Sequence, residues 1–193
     1  MMEAERLHPV PSIHPSAIVE DGAVVGDGTR IWHLGHVRSG SRIGADCTIG
    51  FAVYVDTGVV IGDRCKIQNH VSLYQGVTLE DDVFVGPAVA FTNDRYPRAS
   101  STTWEVVATS VRRGASVGAN ATIVCGVQLG AWSMIGAGAV VTTDVPAHGL
   151  VTGSPATLRG WVCTCGRPLV RLGEAPPERC PHCGRSSTGM VPS

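Results

Sequence analysis

Large apolar residues recur every six positions along most of the chain. Fourteen consecutive positions at this spacing, from 13 to 91, are Ile, Val, Leu or Phe, and six more follow from 111 to 141. The residue four positions after each of these, except Phe91, is small or β-branched, and Gly often follows the apolar residue directly. An α-helix would need a period near 3.6 and a half-buried strand a period of two. A period of six also fits alternation on short strands, so the small residue at its fixed offset is what indicates a repeating coil.

Three of these units predict one triangular coil of 18 residues. Each unit supplies a short strand and a tight corner, because β-branched residues favour strands and glycine favours corners. Aliphatic side chains then stack inside the coils, and each coil covers the open face of its neighbour. The pattern predicts an all-β chain: a lead-in over 1–12 and a parallel β-helix over 13–157.

The repeat is interrupted once. The step from Phe91 to Val111 is 20 residues, which is not a multiple of six, so residues 92–110 are predicted to form an inserted loop. The segment is rich in Asn, Asp, Arg and Tyr, and long loops on rigid scaffolds often carry function. A tolerated surface insertion is the alternative.

The repeat resembles that of the hexapeptide-repeat acyltransferases, and this resemblance implies a left-handed β-helix. Seven motifs are similar to those of bacterial nucleotide-sugar N-acetyltransferases: IQNHV at 67–71, GVTLED at 76–81, FTNDRYPR at 91–98, RGASVGANATI at 113–123, IGAGAVV at 135–141, DVP at 144–146 and GSPA at 153–156. Such enzymes acetylate the 3-amino group of a UDP- or dTDP-linked amino sugar used for surface glycans. The resemblance implies a homotrimer with the site between two subunits and acetyl-CoA held by the late coils.

Acyl transfer from a thioester to an amine needs a neutral, well-aimed amine and one or two donors for the oxyanion. His70 is the candidate general base, because its reference pKa is near neutrality. Asn69 and Asn93 are candidates for holding the sugar or the oxyanion. Residues 18 apart should stack, which predicts a polar cluster of Asn69, His70, Gln75, Asn93 and Asp94 at the base of the loop. Corner stabilisation is the alternative role of the histidine and the asparagines.

Six polar or aromatic residues are candidates for binding the nucleotide sugar: Tyr74, Gln75, Glu80, Asp94, Tyr96 and Arg98. A tyrosine would stack on the pyrimidine, the arginine would contact the diphosphate, and the carboxylates would bind sugar hydroxyls or the substrate ammonium. Six residues of the late coils are candidates for binding coenzyme A: Arg112, Arg113, Gly118, Gly136, Ala137 and Gly138. The arginines would meet its phosphates, and solvation of surface charge is the alternative for them.

The composition changes after Pro155. Cys163 and Cys165 precede one glycine and Cys180 and Cys183 another, which resembles a zinc ribbon over 158–185, although the first pair is spaced C-x-C. Four thiolates predict a structural Zn²⁺ site, with an oxidisable tail as the alternative. Residues 186–193 are expected to be disordered. Of the other cysteines, Cys125 is expected to point outward.

The charge composition of the chain argues against some classes of binding partner. The net charge is −1 and only 16% of residues are charged, with no basic stripe, so nucleic acid and membrane are not expected partners. There is no signal-peptide core near the N-terminus, and the odd cysteine count argues against a disulfide framework, so a cytoplasmic location is expected.

Three other functions stay open. An O-acetyltransferase would need a strong base, so near-complete loss of activity in His70→Ala would favour it, and little loss would favour an amine acceptor. A carbonic-anhydrase-like metalloenzyme would need three histidines on adjacent coils, and His33 and His36 lie two coils below His70. The third alternative is a non-catalytic scaffold, against which the polar loop argues.

Overall fold

The fold is seen in a computed structural model that describes residues 10–191. Within this range all regular structure is β, and most strands are two residues long. The strands are β1 (Ser12–Ile13), β2 (Ile18–Val19), β3 (Val24–Val25), β4 (Arg30–Ile31), β5 (His36–Val37), β6 (Arg42–Ile43), β7 (Thr48–Ile49), β8 (Tyr54–Val55), β9 (Val60–Ile61), β10 (Lys66–Ile67), β11 (Ser72–Leu73), β12 (Val77–Leu79), β13 (Phe84–Val85), β14 (Ala90–Phe91), β15 (Thr109–Val111), β16 (Ser116–Val117), β17 (Thr122–Ile123), β18 (Gln128–Leu129), β19 (Met134–Ile135), β20 (Val140–Val141), β21 (Gly149–Thr152), β22 (Thr157–Val162) and β23 (Pro168–Arg171).

These strands form the three faces of a prism. Face A contains β1, β4, β7, β10, β13, β16, β19 and then β21, β22 and β23. Face B contains every third strand from β2 to β20, and face C every third strand from β3 to β18. Neighbours pair in parallel with an 18-residue step, as between Thr48 and Lys66. The step rises to 32 residues between Phe84 and Ser116, because the inserted loop lies between them. The predicted β-helix is therefore confirmed.

The core is the interior of the prism. The repeated apolar positions, such as Ile49, Leu73 and Leu79, are at most 1% exposed, and so are the small positions at the fixed offset, such as Cys47 and Val53. The first coil is less covered, and Ile13 is 43% exposed. The six-residue period therefore identified both inward positions of each unit.

Several corners of the prism require a backbone conformation with positive φ, which is unfavourable for most residues. His70 and Asn120 have positive φ angles of 60° and 57° at the edge between faces A and B. Adjacent coils also approach closely there: a Cβ atom at Gly118 would lie only 2.5 Å from the backbone nitrogen of Ala137. The corner glycines thus allow the coils to stack at the spacing of a sheet.

The inserted loop spans residues 92–108 and leaves the prism at the edge between faces B and C. Its predicted end at 110 is two residues too late, because Thr109 already pairs with Val77. The loop folds back on the prism, where Arg95 Nη1 donates to the carbonyl of Cys125 at 2.8 Å and Thr92 Oγ1 accepts from its N–H at 2.9 Å. Cys125 is fully buried beneath the loop, so the solvent exposure expected of an outward-pointing residue at this position is not found.

The C-terminal segment extends face A. Strand β21 is parallel to β19, whereas β22 and β23 are antiparallel additions.

The expectation of disorder is wrong for residues 186–191. Ser187 is 5% exposed, its N–H donates to the backbone carbonyl of Glu178, and Met190 packs on the cysteine cluster. Residues 192–193 and 1–9 lie outside the described residues. No helix of the described chain is long and apolar enough to cross a membrane.

Candidate functional site

The predicted site residues lie on three different edges of the prism. The edge where the chain passes from face A to face B, the A/B edge, carries two of the three predicted catalytic residues and most predicted coenzyme A residues: Asn69, His70, Gly118, Gly136, Ala137 and Gly138. The B/C edge carries most predicted sugar residues: Tyr74, Gln75, Asn93, Asp94, Tyr96 and Arg98. The C/A edge carries the rest: Glu80, Arg112 and Arg113.

The single polar cluster expected at the base of the loop is not formed within one chain. His70 precedes β11 at the A/B edge, whereas Gln75 follows β11 at the B/C edge, beneath Asn93. Five extended residues span up to about 16 Å. The 18-residue register correctly stacks Gln75 below Asn93, but Asn69 and His70 belong to the preceding corner. The cluster is therefore two groups separated by the width of face B.

At the A/B edge, the side chains of Asn69 and His70 differ in their hydrogen bonding. Asn69 Oδ1 accepts the N–H of Phe51 at 2.9 Å, which is the same corner contact that Asp63 makes with Ala45 one edge away. His70 is exposed, and its ring lies edge-on to Phe51 with centroids 5.0 Å apart. Its ring forms no hydrogen bond with residues 10–191. Asn69 thus has a structural contact, while the imidazole of His70 is free to meet a ligand.

An open apolar groove of about 380 Å³ lies on face A beside the same edge. This face A groove is lined by Phe84, Ser116, Val117, Gly118, Met134, Ile135, Gly136, Ala137 and Leu150. Three of the four predicted coenzyme A residues of the A/B edge line it, and the fourth, Gly138, follows them at the corner. An apolar groove floored by glycines suits a long, thin ligand chain.

The groove lies beside the column of corners that contains His70. The corners are joined coil to coil, as Ala88 N donates to Asn69 O at 2.9 Å, Asn120 N to Pro87 O at 2.9 Å and Gly138 N to Ala119 O at 2.8 Å. Three coils separate His70 from Gly138, a rise of about 14 Å at the spacing of neighbouring strands. A ligand lying in the groove along the prism axis would therefore have its lower end on the side of the prism where His70 lies.

The loop forms a separate recess at the B/C edge. It has a volume of about 320 Å³ and is lined by Asp94, Arg95, Tyr96, Ser101, Thr103, Trp104, Glu105 and Val107. Tyr96 is 83% exposed and Trp104 58% exposed, so both rings are open to a stacking partner. Sequence reasoning did not single out Trp104, although it is the one tryptophan of the inserted segment.

The remaining B/C-edge residues make mostly local contacts. Asp94 Oδ1 accepts the N–H of Tyr96 at 2.9 Å, and Arg98 Nη1 donates to the carbonyl of Pro97 at 2.9 Å. Asn93 accepts the N–H of Val107 through its carbonyl. Tyr74 lies beside Tyr54, with ring centroids 5.9 Å apart. The guanidinium of Arg98 has no carboxylate partner among residues 10–191, so it remains available to a diphosphate.

The C/A edge is a ladder of exposed ion pairs. Glu80 meets Arg112 at 2.7 Å, and Asp82 meets Arg113 at 3.0 Å and Arg64 at 2.7 Å. The hydrogen bond from Arg112 holds the pKa of Glu80 below its usual range. Arg112 and Arg113 are also separated from Gly118 by the width of face A. The structure therefore pairs these arginines with carboxylates and does not bring them to the face A groove.

The four C-terminal cysteines converge. Their sulfur atoms lie within 4.8 Å of one another, with 3.6 Å between Cys163 and Cys183 and 3.8 Å between Cys165 and Cys180. Tetrahedral zinc with bonds of about 2.3 Å places its sulfur ligands about 3.8 Å apart. Each pair sits in a tight turn, closed by the N–H of Gly166 on Cys163 O at 2.8 Å and of Gly184 on Cys180 O at 2.9 Å. The donor set and its spacing fit a metal ion.

Comparison with known sequences places the repeat in a defined family. The profile "Hexapeptide repeat of succinyl-transferase" matches residues 41–75 and 110–143. The chain is 41% identical over 153 residues to dTDP-3-amino-3,6-dideoxy-alpha-D-galactopyranose 3-N-acetyltransferase of Aneurinibacillus thermoaerophilus, covering 79% of each chain. This chain belongs to the hexapeptide-repeat acyltransferase family. A second member, serine acetyltransferase 4 of Arabidopsis thaliana, is 38% identical over 59% of the chain, which spans 28% of that protein.

Solved structures of the family agree with the fold. A variant of GDP-perosamine N-acetyl transferase from Caulobacter crescentus, in complex with CoA and GDP-perosamine, is 27% identical with a TM-score of 0.51, over 79% of this chain and 58% of that one. A hexapeptide-repeat acetyltransferase of Vibrio cholerae with acetyl coenzyme A is 26% identical with a TM-score of 0.52, over 60% and 70% of the two chains. The predicted acyltransferase class is therefore confirmed at the level of the family.

Proposed function

We propose that this protein transfers an acetyl group from acetyl-CoA to the amino group, at carbon 3, of a nucleotide-linked amino sugar. The observation that carries the proposal is the alignment of the face A groove with His70 on one edge of the prism. The groove accepts the pantetheine arm, which directs the thioester toward His70. The similarity to the 3-N-acetyltransferase over 79% of the chain supports the acceptor class.

The proposed reaction requires only a base and a hydrogen-bond donor for the oxyanion from the protein. The neutral amine attacks the thioester carbonyl carbon, the tetrahedral intermediate collapses, and the thiolate of coenzyme A leaves. His70 takes the proton that the substrate ammonium loses when it becomes the amine, because its ring is exposed and has no partner among the described residues. The departing thiolate accepts the second proton, which the nitrogen loses after attack. The amide N–H₂ of Asn69, whose oxygen accepts the N–H of Phe51, is the donor proposed for the oxyanion on this edge.

We further propose that the site is completed by a second copy in a homotrimer. The acetyl-CoA residues lie at the A/B edge and most sugar residues at the B/C edge, so one chain cannot bring them together. A neighbouring copy that presents its inserted loop to the A/B edge would do so. Sedimentation equilibrium should give three times the chain mass of 20.1 kDa, and a monomer at micromolar concentration would contradict this assembly.

The four cysteines are proposed to hold a structural Zn²⁺. All four ligand positions are thiolates, which closes the coordination sphere and leaves no open position for catalysis. None of the seven cysteines forms a disulfide, which fits the proposed location in a reducing cytoplasm. Metal analysis of protein purified without chelators should give one zinc per chain.

The test of the proposed activity follows thiol release from acetyl-CoA in the presence of UDP- and dTDP-linked amino sugars. Release with a 3-amino sugar, and a product heavier by one acetyl group, is the expected result. The alternative acceptor is a hydroxyl. It is supported by the similarity to serine acetyltransferase 4 in the repeat region. Release of thiol only with hydroxyl acceptors would replace the proposal with O-acetylation.

A further inference from the structure

A second recess adjoins the face A groove at the C-terminal end of the prism. This ribbon recess has a volume of about 620 Å³ and is lined by Leu150, Arg159, Pro168, Leu169, Val170, Arg171 and Glu174. Leu150 lines both the recess and the groove. The two depressions are therefore neighbours on one surface, although the recess is built by the appended strands and the groove by the repeat.

Strand register shows that they are continuous. Leu150 pairs with Met134 on one side and with Gly160 on the other, and Gly160 pairs with Arg171. Paired residues in a sheet project on the same side. Gly160 has no side chain, so nothing separates Leu150 from Arg171 along this row. Five strand steps from Phe84 to Arg171 give a track of about 24 Å.

Arg159 is connected to the face A groove through Thr152. Its Nε donates to Thr152 Oγ1 at 3.3 Å. A Cβ atom at Gly136 would lie 2.8 Å from Cγ2 of the same threonine, so Thr152 borders the groove at Gly136. Arg159 is therefore tied to a residue that touches the groove wall.

The charges of the recess favour an anion. Neither Arg159 nor Arg171 forms an ion pair with any carboxylate of residues 10–191, whereas Arg112 and Arg113 are both paired. The one carboxylate of the recess is Glu174, and its Oε2 accepts the backbone N–H of Arg171 at 3.4 Å. Two guanidinium groups and one carboxylate leave a net positive recess, and guanidinium is the side-chain group best suited to phosphate.

We propose that the appended ribbon completes the acetyl-CoA site, with Arg159 and Arg171 binding the phosphate groups of coenzyme A. This inference rests on the proposed function. The thioester end lies toward His70, the pantetheine arm follows the face A groove, and the phosphates reach the ribbon recess. The ribbon arginines thus take the role that sequence reasoning gave to Arg112 and Arg113.

The cysteine cluster positions these arginines. Cys163 follows β22 directly, and the preceding Val162 is tied to the last corner by its N–H on His148 O at 2.8 Å and by its carbonyl at 3.0 Å from His148 Nδ1. The first cysteine turn also reaches the groove, since a Cβ atom at Gly166 would lie 3.5 Å from Cε of Met134. A metal ion that closes the turns would therefore hold β22 and β23 against the groove.

The test is isothermal titration of the full zinc-loaded chain with CoA and with dephospho-CoA, which lacks the 3′-phosphate. Arg159→Ala and Arg171→Ala should each weaken CoA binding about tenfold, equivalent to about 1.4 kcal/mol. The double variant should also lose the preference for CoA over dephospho-CoA that the wild type shows. Arg179→Ala is the matched control, because this arginine belongs to the ribbon, bonds Gly184 O and does not line the recess.

Zinc content and the melting temperature establish that the variants keep the ribbon folded. Binding of CoA by the double variant within twofold of wild type would overturn this inference alone, since the wild type would still bind. Failure of the wild type to bind CoA at all would overturn the proposed function as well. Equal loss in Arg179→Ala would show a general charge effect of the ribbon and would also overturn the assignment.

Discussion

Replacing His70 tests both the base and the acceptor. His70→Asn suits the corner, because Asn tolerates a φ of 60° better than Ala. The structural loss is the edge contact with Phe51, worth about 1 kcal/mol or less. If the base removes a proton from an ammonium with a pKa near 8, about one tenth of the acceptor is already neutral at pH 7. The variant should therefore lose about tenfold in kcat/KM at pH 7.

The pH profile distinguishes this role from others. As the amine deprotonates in solution, the activity of His70→Asn should rise to within about twofold of wild type by pH 9. The assay is steady-state thiol release with saturating acetyl-CoA and a 3-amino sugar nucleotide. A loss of a thousandfold or more that persists at pH 9 would contradict an amine acceptor. No loss at pH 7 would contradict His70 as the base.

Three further predictions concern stability. Leu73→Ala should lower the free energy of unfolding by about 2–5 kcal/mol in urea denaturation, because Leu73 is fully buried in the prism; Ser72→Ala on the outer surface should change it little. Removal of zinc by a chelator should lower the protease resistance of residues 158–191 while far-UV circular dichroism of the β-helix is retained; loss of both signals together would contradict a separate ribbon. Burial lowers the pKa of His148, so the folded state resists protonation and stability present above about pH 6.5 is lost as the pH falls. His148→Asn should therefore lose less stability than wild type between pH 7.5 and pH 5.5, and parallel profiles would contradict this.

Most of the fold could be predicted from the sequence because the repeat is local. An inward residue every six positions, as at Ile49 and Leu73, defines strand, corner and coil without any knowledge of distant contacts. The insertion was visible for the same reason, since a break in the period shows where the chain leaves the prism. Convergence of the four cysteines was also predicted, because two short turns with thiols have few ways to pack other than around one centre.

The candidate site was predicted less well because it depends on which corner a residue occupies. Register stacks residues 18 apart correctly, but it does not show that consecutive corners, such as those of His70 and Gln75, face different directions. Pairing of Arg112 with Glu80 across coils removed a residue from the proposed cofactor site. Burial of Cys125 depends on where the loop folds back, and no periodic signal carries that information.

The most direct test of the account uses two acceptors that differ at one atom. Acetyl-CoA is mixed with the purified protein and with a nucleotide sugar that carries either an amino group or a hydroxyl at carbon 3, and the masses of the products are measured by mass spectrometry. We predict one added acetyl group on the amino sugar and none on its hydroxyl counterpart. Acetylation of the hydroxyl sugar, or of neither acceptor across the UDP- and dTDP-linked series, would contradict the proposed function.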